Sequence, residues 1–185
     1  MIFHILAFIG LIFLQFYLKK FTIKNKKNTY EQPLSDLGHK IIPTISTDFI
    51  LLSDTILVSM FLIMFISVKS PTVLCEFFRK GILLLVLRSI SILLTDLPQI
   101  NTYLCFIKDD KQKDSNCTND YMFSGHTSIT LLISLFIMKT IPYLKIPMIG
   151  VTLLQVFLIL STRMHYSIDV FMAIVLTICI YNIKM

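Results

Sequence analysis

Close cysteine pairs are missing from this sequence. The four cysteines stand at positions 75, 105, 117 and 179, without the short paired spacing of zinc sites, so no metal site is predicted. Only Cys105 and Cys117 share one polar segment, where a disulfide requires an extracytoplasmic location. The sequence also lacks an internal repeat, a low-complexity linker and a basic face interleaved with aromatic residues. The last absence argues against nucleic-acid binding.

Charged residues are also few, at 15% of the 185 positions, whereas hydrophobic residues make up 55% and the mean hydropathy is +0.77. This apolar share exceeds that of typical soluble domains and lies in long runs, so a bilayer is the expected solvent. Lysine and arginine outnumber aspartate and glutamate by 17 to 11, and the surplus lies between the apolar runs, where it suits contact with anionic headgroups. We predict one integral membrane domain over residues 1–185.

Unbroken apolar runs of this length are helical in lipid, because the backbone there must satisfy its own hydrogen bonds. We therefore predict an all-α protein, a bundle of six transmembrane helices. The first run is followed by lysines rather than by a small-residue cleavage site, which favours a retained helix over a cleaved signal. The predicted spans cover residues 2–18, 45–68, 81–97, 127–143, 146–162 and 168–183.

Six antiparallel spans divide the polar segments between two faces. Segments 19–44, 98–126 and 163–167 would lie on one face, and segments 69–80 and 144–145 on the other. The second group is basic, which by the positive-inside rule marks it as cytosolic. The first segment, however, carries six lysines, so charge alone leaves the orientation open.

Two histidine motifs fall on the same predicted face. Ser124-Gly125-His126-Thr127 leads into the fourth span, and His165-Tyr166-Ser167-Ile168-Asp169 leads into the sixth. If the second motif is helical, the Asp169 carboxylate can hold one ring nitrogen of His165 and leave the other as a nucleophile or base. Ser124 or Thr127 can cap the start of the other helix, beside backbone N–H groups that attract phosphate.

A second histidine is what a displacement at phosphorus needs, because the leaving alkoxide must gain a proton and the entering hydroxyl must lose one. The predicted catalytic residues are therefore His126, His165 and Asp169. The alternative is that all three are interfacial polar residues of a structural or transport protein.

Two arginines are further candidates. Arg163 stands close to His165, and a planar guanidinium suits a bidentate contact with phosphate; the alternative is an interfacial arginine that snorkels. Arg88 lies inside the third span, about ten residues before Pro98 and hence about 15 Å below that end. Asp54 lies at a similar depth in the second span, so we predict that Asp54 and Arg88 form an ion pair.

The motifs resemble the signatures of a known family. Residues 117–127, Cys-Thr-Asn-Asp-Tyr-Met-Phe-Ser-Gly-His-Thr, resemble the third signature of the sphingomyelin synthase family, and residues 165–170, His-Tyr-Ser-Ile-Asp-Val, resemble the fourth. This family is related to the PAP2-type lipid phosphate phosphatases. Weaker matches are Pro33-Leu34-Ser35-Asp36 to the first signature, with serine for its second proline, and Arg79-Lys80, Arg88 and Thr95-Asp96-Leu97-Pro98 to the second.

The resemblance implies a six-helix PAP2-like core that acts without a metal or other cofactor. In it His165 attacks phosphorus, Asp169 orients His165, and His126 carries the protons of the leaving and entering hydroxyls. It also implies an active site on the lumenal or extracellular face of the Golgi, the endoplasmic reticulum or the plasma membrane. Substrate contacts are expected from Arg163, Asp120, Ser124 and Arg88.

The sequence departs from the related phosphatases at two places. They have a lysine, six residues, then Arg-Pro, whereas Lys80 and Arg88 are separated by seven residues and serine follows. They also have Ser-Arg, five residues, then histidine, whereas Arg163 stands two positions before His165. Both departures favour a headgroup transferase over a phosphatase. The match to the third signature also has one residue more between Cys117 and Asp120 than the family has, so no role is assigned to Cys117.

We therefore expect a phosphotransferase that moves phosphocholine, phosphoethanolamine or phosphoinositol from a glycerophospholipid to ceramide. Membrane lipids are its expected partners, and a homodimer is one option for its assembly. The alternatives are a PAP2-type lipid phosphate phosphatase and a non-catalytic membrane scaffold. The sequence does not distinguish the donor headgroup, the organelle or the oligomeric state. It also leaves open whether Cys105 and Cys117 pair and whether Asn116, in an Asn-Cys-Thr sequon, is glycosylated.

Overall fold

The computed structural model describes residues 1–25, 34–95, 97, 100 and 122–184. Over these ranges the chain is all-helical and contains no β-strand, which confirms the all-α prediction. A short 3-10 turn at Pro142–Leu144 precedes the sixth helix. In chain order the helices are α1 (Ile2–Asn25), α2 (Leu37–Ile41), α3 (Phe49–Ser67), α4 (Pro71–Leu94), α5 (Gly125–Thr140), α6 (Lys145–Ser161) and α7 (Ser167–Asn182).

The six longer helices follow the six predicted apolar runs, and α2 is an addition. Two helical segments of the described ranges are long and apolar enough to cross a membrane: α3, and Pro142–Ser161, which joins the 3-10 turn to α6. The apolar segments Ile2–Leu18 and α7 are shorter. Six crossings therefore stay a prediction, although the helices that would make them are present.

Helix α4 begins earlier than predicted, and segment 69–80 is mostly helical rather than a loop. It starts at Pro71, where a missing N–H costs nothing because that group has no helical acceptor. This segment was predicted to be a basic connection that includes Lys69, Arg79 and Lys80. Lys80, however, is only 2% exposed, and its Nζ donates to Glu76 Oε1 and to the carbonyl of Tyr181. These partners let a charged residue continue the helix.

Helix α5 lies at the centre of the bundle. It packs against α3, α4, α6 and α7, whereas α1 packs against α4. Leu132, Ile133 and Phe136 of α5 are completely buried. Phe136 meets Phe77 of α4 edge to face, with ring centroids 5.6 Å apart, an arrangement that aromatic quadrupoles favour. The position of His126, near the start of α5, is therefore fixed by four neighbouring helices.

Polar side chains connect the helices inside the bundle, and apolar side chains cover its outside. The hydroxyl oxygens of Ser134 in α5 and Thr152 in α6 lie 2.8 Å apart, within hydrogen-bond distance. The side-chain amide of Gln155 in α6 donates to Ser53 Oγ of α3 at 2.7 Å. On the outer surface, Ile146 is 84% exposed. Small polar residues between helices and large apolar residues outside are typical of helices packed in lipid.

Candidate active site

The two histidine motifs meet at one end of the bundle. The backbone N–H of Ser124, just before α5, donates to the carbonyl of Asp169 in the first turn of α7 at 3.2 Å. His126 follows Ser124 by two residues, and His165 lies in the turn between α6 and α7. The structure thus brings together the two segments whose common face was expected from the topology.

His165 and Asp169 form the first imidazole and carboxylate pair. Asp169 Oδ2 lies 3.6 Å from His165 Nδ1 and accepts the Tyr166 N–H at 2.9 Å. Asp169 is completely buried and His165 is 6% exposed. A ring whose Nδ1 faces a carboxylate reacts through Nε2. The Asp169 carboxylate therefore lies on the Nδ1 side of the His165 ring.

His126 and Asp54 form a second pair that the sequence analysis did not predict. His126 Nε2 lies 2.7 Å from Asp54 Oδ1, which joins the first turn of α5 to α3. When His126 is neutral, this contact places its proton on Nε2, because a carboxylate only accepts, and leaves the Nδ1 lone pair to receive another. The site therefore holds two imidazoles, each beside its own carboxylate.

The predicted ion pair between Asp54 and Arg88 is wrong. Arg88 instead donates through Nε to the carbonyl of Phe123 at 3.0 Å and through Nη1 to Gln15 Oε1 at 2.7 Å. Asp54 of α3 instead contacts His126 of α5, and both α3 and α4 pack against α5. Equal depth in two helices does not make two residues neighbours.

Arg88 and Ser124 hold the turn that precedes His126. Arg88 Nε would lie 3.0 Å from a Cβ at position 125, so glycine there leaves room for the guanidinium. Ser124 caps α5, because its Oγ accepts the N–H of Thr127 at 3.3 Å and the Thr127 hydroxyl at 3.0 Å. Both residues were predicted to bind substrate, and the contacts that the structure shows for them are within the protein.

A segment of the first polar loop packs against the His165 turn. We call residues 34–45 the strap. Asp36, just before α2, accepts the N–H and the hydroxyl of Ser167 at 2.8 and 2.7 Å. Gly38 N–H also donates to Ser167 Oγ at 3.1 Å, and a Cβ on Gly38 would collide with that oxygen. The first and fourth signatures are therefore in direct contact.

His39 of the strap is a residue near the site that the sequence analysis missed. Its Nε2 donates to the carbonyl of His165 at 3.0 Å, and its ring stacks on Tyr166 with centroids 5.8 Å apart. The available signal was its position three residues after Asp36, within the weak match to the first signature. Arg163, the remaining predicted substrate ligand in the described ranges, also bonds to the strap.

The strap carries two groups with shifted pKa values. Burial alone would raise the pKa of Asp36, but hydrogen bonds from Ser167 and His39 and the charge of the His39 ring lower it overall. Burial lowers the pKa of His39 from 6.5, and the Arg163 charge acts in the same direction. Together they outweigh the contact with the His165 carbonyl and the charges of Asp36 and Asp169, which raise it.

We expect the strap to loosen as the pH falls below about 6.5. Docked His39 binds fewer protons than undocked His39 in this window, so acid favours the undocked state. Asp36 does not contribute there, because its lowered pKa keeps it ionised. Amide hydrogen exchange at Gly38, corrected for the intrinsic effect of pH, should be faster at about pH 5.5 than at about pH 7.5. A His39→Gln variant should lose this dependence; an unchanged dependence would contradict the assignment to His39.

Other predicted residues lie outside the described part of the chain. These are Asp120, Asp96, Asn116, Cys105 and Cys117. Among the residues that the structure describes, no group of three or more histidine, cysteine, aspartate or glutamate side chains is arranged to hold a metal ion.

Comparisons with known proteins concern the part of the chain that carries both motifs. Residues 116–185 match the family model "PAP2 superfamily C-terminal". Over 62 residues the chain is 39% identical to sphingomyelin synthase-related protein 1 of Homo sapiens and of Mus musculus. This match takes in 31% of the chain but only 15% of the human and 13% of the mouse protein. The resemblance inferred from the motifs is therefore confirmed: the C-terminal part of this chain is related to the PAP2 superfamily and to the sphingomyelin synthase-related proteins.

Proposed function

We propose that this protein is a membrane-embedded phosphotransferase that moves the phospho-headgroup of a glycerophospholipid to ceramide. One observation carries the proposal: two imidazoles, each beside a carboxylate, lie on contacting segments at one end of an apolar helix bundle. A nucleophile and a separate proton carrier are the two groups that such a transfer needs. The PAP2 relationship of residues 116–185 supports the class of chemistry.

In the first displacement, His165 Nε2 attacks the headgroup phosphorus and the bond between phosphorus and the diacylglycerol oxygen breaks. Asp169, beside Nδ1 of the same ring, stabilises the positive charge that the ring gains. Protonated His126 gives its Nδ1 proton to the departing oxygen. Diacylglycerol leaves, and the headgroup phosphate remains on His165.

In the second displacement, the ceramide hydroxyl attacks the phosphorylated ring. Neutral His126 takes the hydroxyl proton on Nδ1 while Asp54 holds its Nε2 proton. The bond between phosphorus and nitrogen breaks, and its electron pair returns to His165. The products are a phosphosphingolipid and the enzyme in its starting protonation state.

Several finer features belong to the same proposal. Headgroup contacts from Arg163, Asp120, Ser124 and Arg88 stay predictions, as do phosphocholine, phosphoethanolamine or phosphoinositol as the group transferred. We also propose a multi-pass protein of the Golgi, the endoplasmic reticulum or the plasma membrane, with its site on the lumenal or extracellular face and a homodimer as one assembly.

A PAP2-type lipid phosphate phosphatase is the second candidate, favoured by the family match. The same two histidines would serve it, with water in place of ceramide in the second displacement. Exclusion of water from the site decides between the two outcomes.

Labelled ceramide distinguishes the candidates. Proteoliposomes containing the protein, labelled ceramide and one donor phospholipid at a time should form a labelled phosphosphingolipid whose migration on chromatography names the headgroup. Unlabelled phosphate released from phosphatidic acid without any acceptor would indicate the phosphatase instead. A His165→Ala protein, reconstituted in parallel, controls for contaminating enzymes. If neither product forms, both enzymatic functions are contradicted and only the non-catalytic scaffold remains.

A further inference from the structure

We propose that Arg163 and Asp36 are positioning residues that clamp the strap across the turn bearing the nucleophile. The inference rests on the proposed function, because it concerns how His165 is aimed. It assigns Arg163 a role different from the phosphate contact expected from the sequence, and it gives the first signature a task in the reaction.

The Arg163 guanidinium is already occupied by the protein. Nη2 shares its two protons among three acceptors, the carbonyls of His39 and Ile42 at 2.8 and 2.9 Å and Thr44 Oγ1 at 2.9 Å, and Nη1 donates to the carbonyl of Leu160 at 3.1 Å. A bidentate phosphate contact needs parallel N–H donors that are not already spent. These donors instead hold His39, Ile42 and Thr44 of the strap against the end of α6.

The backbone of Arg163 adds a second argument. Its φ is 60°, in the left-handed region that costs any residue with a Cβ and that glycine adopts freely. A residue with a Cβ keeps such a conformation only where surrounding contacts compensate for the backbone strain. The four hydrogen bonds to the strap and to α6 are that compensation.

The clamp holds the turn on both sides of His165. Arg163 fixes one end, and Asp36 fixes the other through the N–H and hydroxyl of Ser167. Between them, His39 donates to the His165 carbonyl, and the Tyr166 hydroxyl accepts the N–H of Leu34 at 3.2 Å.

This clamp bears on catalysis because His165 itself is not in a helix. It lies between the end of α6 and the start of α7, so the aim of its ring depends on the conformation of the turn. A misplacement of about 1 Å in a reacting group can slow a displacement by about 100-fold. Loosening the strap therefore lowers the rate of the chemical step without removing any group that touches the substrate.

The test compares Arg163→Gly, Asp36→Asn and the double variant in proteoliposomes. Glycine suits the left-handed backbone, so Arg163→Gly removes the guanidinium while favouring the fold. Lys40→Gln is the matched control, since Lys40 is an exposed cation of the strap with no side-chain hydrogen bond among the described residues. We expect each single variant to lower kcat by about tenfold to 100-fold, with the KM for the donor lipid and the inhibition by inorganic phosphate unchanged. The double variant should be no worse than either single one, because both break the same clamp.

An effect of Arg163→Gly on substrate binding that Asp36→Asn does not share would overturn the proposal. If Arg163→Gly raises KM and weakens inhibition by phosphate while Asp36→Asn does neither, Arg163 is a phosphate ligand. Amide exchange at Tyr166 and Ser167 supplies a readout that needs no activity: it should speed up in both variants and not in Lys40→Gln, and unchanged exchange overturns the clamp. If wild-type protein shows no transfer but the exchange effect persists, the proposed function fails and the clamp stands.

Discussion

Replacing His165 with alanine should reduce headgroup transfer by about 10⁴-fold or more, the scale on which loss of a triad member disables other enzymes that form covalent intermediates. The proposed nucleophile is then gone, and the Asp169 carboxylate, 3.6 Å from the His165 ring in the native protein, has no ring to orient. The measurement is transfer from a donor labelled in its headgroup, followed over a single turnover. Wild-type protein should also retain label on the chain, in a bond that survives base and breaks in acid, as expected for a phosphorylated imidazole.

His4→Gln is the matched control for this result. His4 lies in α1, which packs against α4, and the variant should transfer and retain label as the wild type does. Retention of label by His165→Ala would place the covalent bond elsewhere. Transfer at wild-type rate by His165→Ala would remove the enzymatic proposal from this site altogether.

The largest effect after that should come from His126, and it should depend on the leaving group. His126→Ala should slow release of diacylglycerol by about 10²- to 10⁴-fold, the usual contribution of a positioned acid or base. With a nitrophenyl ester of the same phospho-headgroup, the first displacement should be slowed far less, because nitrophenolate leaves without a proton. The ratio of the two rates, in wild type and variant, is the measurement.

Asp54→Asn should show the same pattern at a smaller scale, about tenfold to 100-fold with the lipid donor, which is typical for loss of a carboxylate that orients a histidine. Asp48→Asn is its control, since Asp48 is the carboxylate just before α3 and accepts its hydrogen bond from Ser46. Equal losses with both leaving groups would contradict proton transfer by His126 and leave it a structural role. A wild-type ratio in Asp54→Asn would show that the 2.7 Å contact does not support that transfer.

The helices were predictable because apolar runs determine them, and the boundaries were not. Lys80 shows why: a lysine in an apolar helix is stabilised by the carbonyl of Tyr181, 101 residues away, and no local pattern reports a partner at that distance. Helix α2 was missed for a related reason. Its five residues are stabilised by Asp36 and by contacts with Ser167, which form only once the chain has folded.

The candidate site was predictable to the extent that its residues are joined along the chain. His165 and Asp169 are only four positions apart, so the turn before α7 and the first turn of that helix bring them together without a distant partner. Asp54 and His126 are 72 positions apart, and depth in the bilayer says nothing about which helix lies beside which. His39 and Asp36 were hidden for the same reason, although the match of residues 33–36 to the first signature was visible.

The central position of α5 sets how freely the rest of the chain can diverge. Helix α5 packs against four neighbouring helices, so substitutions along its buried faces must suit several partners. Residues on the outer faces of α1 and α3 need only remain hydrophobic. The sequence should therefore change slowly along α5, which carries His126, and quickly on the outer faces of α1 and α3. Distantly related proteins would then share the sequence of the central helix and little else.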